Sequence, residues 1–190
     1  FDCGVQFPSY AEGEAKRASP NLFLLTTFAT PQVFPANFFF KTMNTLASFS
    51  NVHEGETILV CGCGYSLNQL EHPEEFVTIG VNDVGRKFQP DYLVVVNPPH
   101  QFSGDRFRYV ESSQAKFIFT QLDLGLEKDN VVKFSLGTQG GTDFSNPDAL
   151  NYTQNSPYVA LCLAIHMGAR RIGLLGVDFT NDHFFGPTGV

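Results

Sequence analysis

Glycines and a serine follow directly after the first long apolar run of this sequence. Residues 61–66 read CGCGYS, so that Gly62, Gly64 and Ser66 stand where a strand would turn into a helix. Glycines let a backbone approach a phosphate closely, and a helix that begins near Ser66 would direct N–H groups at the anion. An ordinary tight turn also needs glycine for its geometry, and the stretch lacks the third glycine of a dinucleotide fingerprint. Both interpretations therefore stay open.

Two further apolar runs end in polar residues that suit a nucleotide. Asn82 and Asp83 follow the second run, about where many dinucleotide folds place the acid that holds a ribose. Asn and Asp are also favoured helix caps, which is the structural alternative. Asn97 closes the third run ahead of two prolines, and a surface turn is the simpler interpretation of that stretch. All three residues are candidates for nucleotide binding.

The last apolar run is followed by two carboxylates and an imidazole within residues 178–183. Such a set can hold a metal or perform acid–base chemistry, whereas the alternative is a solvated loop with a capping aspartate. Phe184 and Phe185 come next and predict an anchored loop, which favours a fixed imidazole. Asp178 and His183 are therefore the candidate catalytic residues.

Six apolar runs form the elements that must position these residues. The runs at residues 57–61, 76–81, 92–96 and 172–177 are almost entirely apolar, as expected of strands buried on both faces, and residues 116–120 and 131–135 are shorter candidates. A helix is predicted for residues 157–167, with Ser156 as its cap and Gly168 at its end. Strands that alternate with helices predict an α/β fold, a Rossmann-like three-layer sandwich with a mostly parallel sheet.

In such a sheet, ligands bind beyond the carboxyl ends of the strands, so the candidate residues meet at one edge. Ser156 stands at the start of the predicted helix, which is a second place where anions are stabilised. With residues 61–66 opposite it, one pocket would contain two helix N-termini. That arrangement suits a diphosphate or a nucleoside monophosphate leaving group. Residues 137–143 are predicted to form a flexible polar loop before this helix.

The first 56 residues lack the regular alternation of strands and helices. They contain four of the eleven prolines, with a predicted strand at residues 22–28 and a predicted helix at residues 36–49. We interpret residues 1–56 as an adaptor segment that packs on the main domain or on a partner. Residues 57–190 are the predicted nucleotide-binding domain.

The composition of the chain argues against some binding partners and some cellular locations. The chain has 12 Lys+Arg against 19 Asp+Glu, a net charge of −7, and no stretch concentrates the basic residues, which argues against nucleic acid. No run reaches the roughly 18 apolar residues of a membrane span, and no export signal opens the chain, so a cytoplasmic protein is expected. The four cysteines fit no zinc pattern and are interpreted as free structural thiols. A homo-oligomer is compatible with these features.

Several short stretches carry a resemblance to a known family. Residues 60–67 (VCGCGYSL), 79–82 (IGVN) and 90–92 (PDY) resemble the opening of the MptE-like proteins, a group named for a pterin diphosphokinase. That group is in turn similar to bacterial sialyltransferases of the type that uses CMP-sugars. Residues 160–178 extend the resemblance, which covers roughly residues 57–185, while Tyr65 departs from the proline usual before the serine.

The resemblance implies chemistry on a nucleotide or a phosphate ester. In the sialyltransferase-like case, a CMP-type nucleotide sugar is the donor, and His183 is the base that deprotonates an acceptor hydroxyl as a nucleoside monophosphate leaves. The nucleotide site would then be lined by Gly62, Gly64, Ser66 and Asn82. We expect this glycosyltransferase-like case, with a small-molecule donor and a hydroxyl acceptor, because no phosphate clamp rich in Lys or Arg is visible.

Two alternatives belong to other classes. In the pterin diphosphokinase case, Asp83 and Asp178 would position Mg²⁺ between the phosphates of ATP. In the other case, the chain is a non-catalytic nucleotide-binding or assembly domain with the aromatic N-terminal segment as its docking surface. Stabilisation by ATP–Mg²⁺ but not by a CMP-sugar would favour the kinase, and nucleotide binding without turnover would favour the assembly domain.

Overall fold

The structure is a computed structural model that describes residues 45–187 of the 190-residue chain. The predicted strand at residues 22–28 and residues 36–44 of the predicted first helix lie outside the described residues. The strands are β1 (Thr57–Cys61), β2 (Val77–Val81), β3 (Tyr92–Val94), β4 (Phe117–Thr120), β5 (Val131–Lys133), β6 (Ser135–Gln139), β7 (Ala149–Tyr152), β8 (Arg171–Leu175), β9 (Asp182–His183) and β10 (Gly186–Pro187). The α-helices are α1 (Arg108–Glu111) and α2 (Ser156–His166), and short 3-10 helices span Leu46–Phe49, Tyr65–Gln69, Pro73–Glu75, Val84–Arg86 and Pro99–Gln101.

Six of the strands form one sheet, in the order β5-β4-β3-β2-β1-β8, and every neighbouring pair is parallel. The predicted α/β class with a parallel, Rossmann-like sheet is confirmed. From β1 the chain winds strand by strand to β5 on one side, and it returns through α2 to place β8 on the other side of β1. Open α/β sheets bind ligands at the carboxyl ends of the strands that flank such a reversal.

Both faces of the sheet are covered at its central strands, as expected for strands that are apolar on both sides. The expectation is wrong for β8, which lies at the edge of the sheet and leaves Leu174 53% exposed. On one face, Val60, Ile79 and Phe119 belong to a buried cluster with α2 and with Phe49 of the first 3-10 helix. On the other face, Leu93 belongs to a second cluster with α1 and with 3-10 helices, which contribute Leu67, Val84 and Val110. The sheet and its two coverings form the three layers.

Helix α2 confirms the predicted helix to within one residue at each end. The predicted cap is wrong, because Ser156 is the first residue of the helix and Asn155 is at the cap position. Pro157 lies in its first turn, where a missing N–H costs no hydrogen bond, and Gly168 follows its last turn with a φ of 83°. Its inner side is buried against the sheet through Val159, Ala160, Cys162, Leu163 and Ala164. The packing fixes the start of α2 at the carboxyl edge of the sheet.

Residues 45–56 of the predicted adaptor segment contribute to the core of this unit. Leu46 and Phe49 are buried in the cluster that α2 shares with the sheet. Asn51 N–H donates to His166 O at 3.0 Å, and His53 N–H donates to Met167 O at 2.8 Å, so the segment also ties to the end of α2. The domain boundary between residues 56 and 57 stays a prediction.

Two small sheets lie beside the main one. β6 pairs with β7 in parallel, and all of its residues are exposed. The predicted polar loop at residues 137–143 is therefore wrong for residues 137–139, which are part of β6. β9 and β10 form an antiparallel pair that holds His183. Within the described range, no helix is both long enough and apolar enough to cross a membrane.

Candidate functional site

A cavity of about 570 Å³ opens at the carboxyl ends of β1, β2 and β8, where the chain reverses its winding direction. Residues 153–157, at the start of α2, form the opposite wall. Six residues predicted from the sequence line this cavity: Gly64, Asn82, Asn97, Ser156, Asp178 and His183. Three other predicted residues, Gly62, Ser66 and Asp83, do not line it.

The glycine loop is packed against the loop that follows β8. Gly62 N–H donates to Leu175 O and Gly64 N–H donates to Gly176 O, both at 2.8 Å. A Cβ atom on Gly62 would collide with the Gly176 carbonyl, and one on Gly64 would stand 2.5 Å from Asp178 Oδ2. The two glycines therefore permit a close approach between two parts of the backbone, and their N–H groups already have partners inside the protein.

The carboxylate of Asp178 takes the position at which the sequence predicts a bound anion. It accepts hydrogen bonds from Ser66 N–H at 2.7 Å and from the Ser66 hydroxyl, while Ser66 Oγ accepts one from Gly176 N–H at 2.8 Å. The expected helix at this point is a five-residue 3-10 helix, Tyr65–Gln69. Asp178 thus satisfies the start of that helix and joins the ends of β1 and β8.

His183 is fixed by the backbone on both sides. It forms an isolated antiparallel bridge with Gly64, and the next residue, Phe184, donates its N–H to Cys63 O at 3.0 Å. Burial lowers the pKa of His183 below its ordinary 6.5, and the charge of Arg106 lowers it further, against weaker opposing effects of Asp83 and the loop. The imidazole is therefore neutral near pH 7 and able to accept a proton.

Arg106 is a functional candidate that the sequence analysis did not identify. Its Nε donates to Asp83 Oδ2 at 2.8 Å and one Nη donates to Asp83 Oδ1 at 2.7 Å, which forms a bidentate ion pair with a fully buried carboxylate. Cys63 Sγ, at 3.6 Å from Asp83 Oδ1, completes the surroundings of this carboxylate. Asp83 makes no side-chain capping bond to the helix after it, so neither the ribose role nor the cap role describes its contacts.

The other side of the Arg106 guanidinium faces the cavity and an aromatic ring. Its second Nη makes no hydrogen bond to any residue in the range 45–187, and Arg106 lines the cavity beside His183. Arg106 Cζ lies 5.2 Å from the ring centre of Phe185, and Arg86 Cζ lies 3.9 Å from the same centre. Two cationic groups therefore stand at the edge of the site, although the chain carries a net charge of −7.

Amide side chains at the ends of β2 and β3 form a relay with the start of α2. Asn82 Nδ2 donates to Ser156 Oγ at 3.4 Å, Ser156 Oγ donates to Asn97 Oδ1 at 2.8 Å, and Asn97 Nδ2 donates to Gln101 Oε1 at 2.9 Å. Asn82 adopts a left-handed backbone with a φ of 52°, which Asn tolerates better than most residues. Its Oδ1 is buried and has no hydrogen-bond partner among the described residues.

The two aspartates expected to position Mg²⁺ do not fit that role. Both oxygens of Asp83 accept from Arg106, and both oxygens of Asp178 accept from Ser66. A hard cation would have to displace these donors from the carboxylates. In the part of the chain that the structure describes, no group of three or more His, Cys, Asp or Glu residues is placed to hold a metal ion.

The cysteines of the described range are free and buried. Burial raises the pKa of Cys61 to about 12 and that of Cys162 to about 11. The pKa of Cys63 is also raised, first by burial and then by the charge of Asp83. These thiols stay protonated at neutral pH, so they are unsuited to act as nucleophiles.

Comparisons with known proteins give one structural neighbour. The sequence matches no family model, and no curated protein matches it. The solved structure of the MAf glycosyltransferase from Magnetospirillum magneticum AMB-1 aligns with a TM-score of 0.48 and 14% sequence identity, over 77% of this chain. The chain spans 28% of the length of that protein.

Proposed function

We propose that the protein is a transferase that uses a nucleotide-activated donor, with a CMP-type nucleotide sugar as the favoured class. The observation that carries this proposal is the composition of one cavity wall. It combines a neutral imidazole at His183 with two polar groups that have no partner among residues 45–187, namely one Nη of Arg106 and the buried Asn82 Oδ1. A base, an anion-binding group and a site for a hydroxyl or amino group are what transfer from a nucleotide requires.

In the proposed reaction, each of these residues has a separate role. Asn82 and Asn97 bind the nucleoside, and the guanidinium of Arg106 contacts the phosphate and stabilises the negative charge that develops as the nucleotide leaves. His183 takes the proton of the acceptor hydroxyl. The acceptor oxygen forms a bond to the sugar carbon, the bond from that carbon to the phosphate oxygen breaks, and the nucleoside monophosphate leaves with the electron pair.

Thermal unfolding with added nucleotides tests the proposal. CMP, UMP, GMP and ATP are compared with and without Mg²⁺, and inorganic phosphate is the control for a bare anion. A nucleotide at about 100 times its Kd should raise the Tm by about 5 to 10 °C. Stabilisation by ATP–Mg²⁺ alone would favour the diphosphokinase, and no stabilisation by any nucleotide would contradict the proposal.

The phosphate role of Arg106 has its own test. CMP should bind more tightly than cytidine, and this difference should shrink in Arg106→Lys, which keeps a charge beside Asp83 but loses the planar fork. Arg108→Lys is the matched control, because Arg108 is exposed and pairs with Asp105 outside the cavity. An unchanged difference in Arg106→Lys would remove Arg106 from the phosphate site.

A further inference from the structure

A second cavity of about 320 Å³ adjoins the first at the ends of β3 and β4. The two cavities share Asn97, Thr153 and Gln154 in their walls, so they lie side by side along the carboxyl edge of the sheet, and we call the two together the trough. The first cavity contains arginine, histidine and aspartate side chains, whereas no charged side chain lines the second. The two parts of the trough therefore suit different parts of one ligand.

The lining of the second cavity combines apolar surface with amide groups. Val96, Val159 and Leu136 supply apolar walls, and Tyr152 adds an aromatic ring. Gln121, directly after β4, donates its Nε2 to Val96 O at 3.1 Å, which fixes which end of its amide is the acceptor. Its Oε1 is buried and lacks a hydrogen-bond partner within the described part of the chain. A flat, uncharged ring that carries a hydrogen-bond donor fits this lining.

The order of the strands sets the order of the groups along the trough. Gln121 follows β4, Asn97 follows β3, and Asn82 follows β2, next to β1. Arg106 pairs with Asp83, which is next to Asn82, and His183 bridges to Gly64 after β1. From β4 to β1 there are three steps between neighbouring strands, or roughly 14 Å. The groups along this line are therefore a neutral ring site, amides, a guanidinium and then an imidazole. A nucleotide presents a base, a ribose and a phosphate in the same order.

We propose that the cavity at the ends of β3 and β4 is the nucleobase subsite and that Gln121 selects bases with an exocyclic amino group. The inference rests on the proposed use of a nucleotide donor. The amino group of cytosine or adenine donates to Gln121 Oε1, whereas a keto oxygen at the same ring position places two acceptors against each other. Reversal of the amide would bring Oε1 against the Val96 carbonyl, so the repulsion is not relieved that way.

Calorimetric measurement of CMP and UMP binding tests this selection. The two nucleotides differ only in the base, where the amino group of CMP is a keto oxygen in UMP and the adjacent ring nitrogen of UMP carries a proton. CMP should bind about tenfold to a hundredfold more tightly than UMP, since a buried acceptor left unpaired costs about 1 to 3 kcal/mol. In Gln121→Met the preference should disappear. The matched control is Gln114→Met, at an exposed position before β4 and therefore at the opposite edge of the sheet.

The outcomes separate this inference from the proposed function. If no nucleotide binds, both are overturned. If CMP and UMP bind equally, or if the preference persists in Gln121→Met, the base subsite is overturned and the nucleotide site stands. Should Gln121→Met fail to fold, AMP and IMP on the unaltered protein supply a second amino-to-keto pair, and equal affinities for both pairs would overturn the inference.

Discussion

The two ends of the trough differ in how completely their polar groups are satisfied. At the β1–β8 end, Ser66 and Asp178 bond to each other, and Gly64 and Gly176 join the two loops through the backbone. At the β2–β4 end, the buried oxygens Asn82 Oδ1 and Gln121 Oε1 have no partner among residues 45–187. Buried polar atoms in folded proteins almost always have partners. The contacts among Gly64, Ser66, Gly176 and Asp178 therefore form a structural joint between β1 and β8. The two oxygens without partners lie on the side of the trough to which we assign the nucleoside of the proposed donor.

From the sequence, the glycine loop is the stronger candidate for ligand binding and the amides are the weaker one, whereas the structure favours the amides. The glycine loop resembles a phosphate site, yet its donors are bound by the chain itself. The amides after β2 and β4 belong to no phosphate-binding motif, yet Asn82 and Gln121 carry buried acceptors without partners among residues 45–187. The joint also matters for the proposed reaction, because Gly64 forms a bridge with His183, the residue that we propose as the base.

The largest expected effect concerns that base. His183→Ala should lower turnover by about a hundredfold to ten-thousandfold, the usual contribution of a general base, with nucleotide affinity nearly unchanged. Because the base acts only when neutral, kcat/KM of the unaltered protein should fall as the pH drops through the pKa of His183, which lies below 6.5. His72→Ala, at an exposed histidine paired with Glu74, is the control. Turnover equal to that of the unaltered protein would remove His183 from the reaction.

The next effect tests whether the joint tolerates extra volume. Gly176→Ala should lower the free energy of unfolding by about 2 to 4 kcal/mol, because Gly176 has a φ of 67° and a Cβ there collides with the Gly62 carbonyl. Gly140→Ala isolates the backbone contribution, since Gly140 has a φ of 64° and nothing within 4 Å of the added atom. That variant should cost about 1 to 2 kcal/mol. Urea unfolding measures both, and equal costs would refute the close contact.

A smaller effect is expected when the carboxylate of the joint becomes an amide. Asp178→Asn keeps one acceptor oxygen and turns the other group into a donor that faces a donor of Ser66. The expected loss in the free energy of unfolding is about 1 to 3 kcal/mol. Asp182→Asn changes an exposed carboxylate of the same cavity and should stay within about 0.5 kcal/mol. Similar losses in both variants would show that Asp178 does not hold the joint.

The smallest expected effect concerns Asn82, at the β2–β4 end of the trough. Asn82→Gly should weaken CMP binding about fivefold, the equivalent of a single neutral hydrogen bond of about 1 kcal/mol. Stability should change little, because glycine readily adopts the positive φ found at Asn82. Asn51→Gly is the matched control, with a φ of 57° at a position outside the cavity. Calorimetry that finds equal affinities in both variants would contradict a role for Asn82 in binding.

The fold was predictable because its signal is local. The run at residues 57–61 is apolar at nearly every position, and only a strand covered on both faces buries all of it. β6 was not predictable in this way, since its residues are all exposed and no periodic pattern marks it. Its pairing depends on β7, whose Asn151 accepts a hydrogen bond from Thr138 N–H at 3.0 Å.

The site was predictable only as far as strand ends reveal it. Asn82, Asn97 and Asp178 could be placed at one edge because each follows an apolar run of the sequence. Arg106 could not, because it lies in a stretch without a regular pattern and its partner Asp83 is 23 residues away. A buried acidic residue that must have a partner is the only signal that could have pointed to it, and burial of Asp83 becomes evident only in the folded chain.

The contact between Gly62 and Gly176 makes the effect of a substitution at one position depend on the residue at the other, although the two are far apart in the sequence. Each glycine leaves out the side chain that would overlap the carbonyl of the other, so a replacement at one forces the loops apart. Once the loops have separated, a second replacement meets no carbonyl, and at position 176 only the cost of the positive φ is left. The two substitutions should therefore show epistasis, with the double variant less destabilised than the sum of the single ones. In related sequences, a residue other than glycine at position 62 should therefore be tolerated best where position 176 is also replaced, by a residue such as Asn that accepts a positive φ.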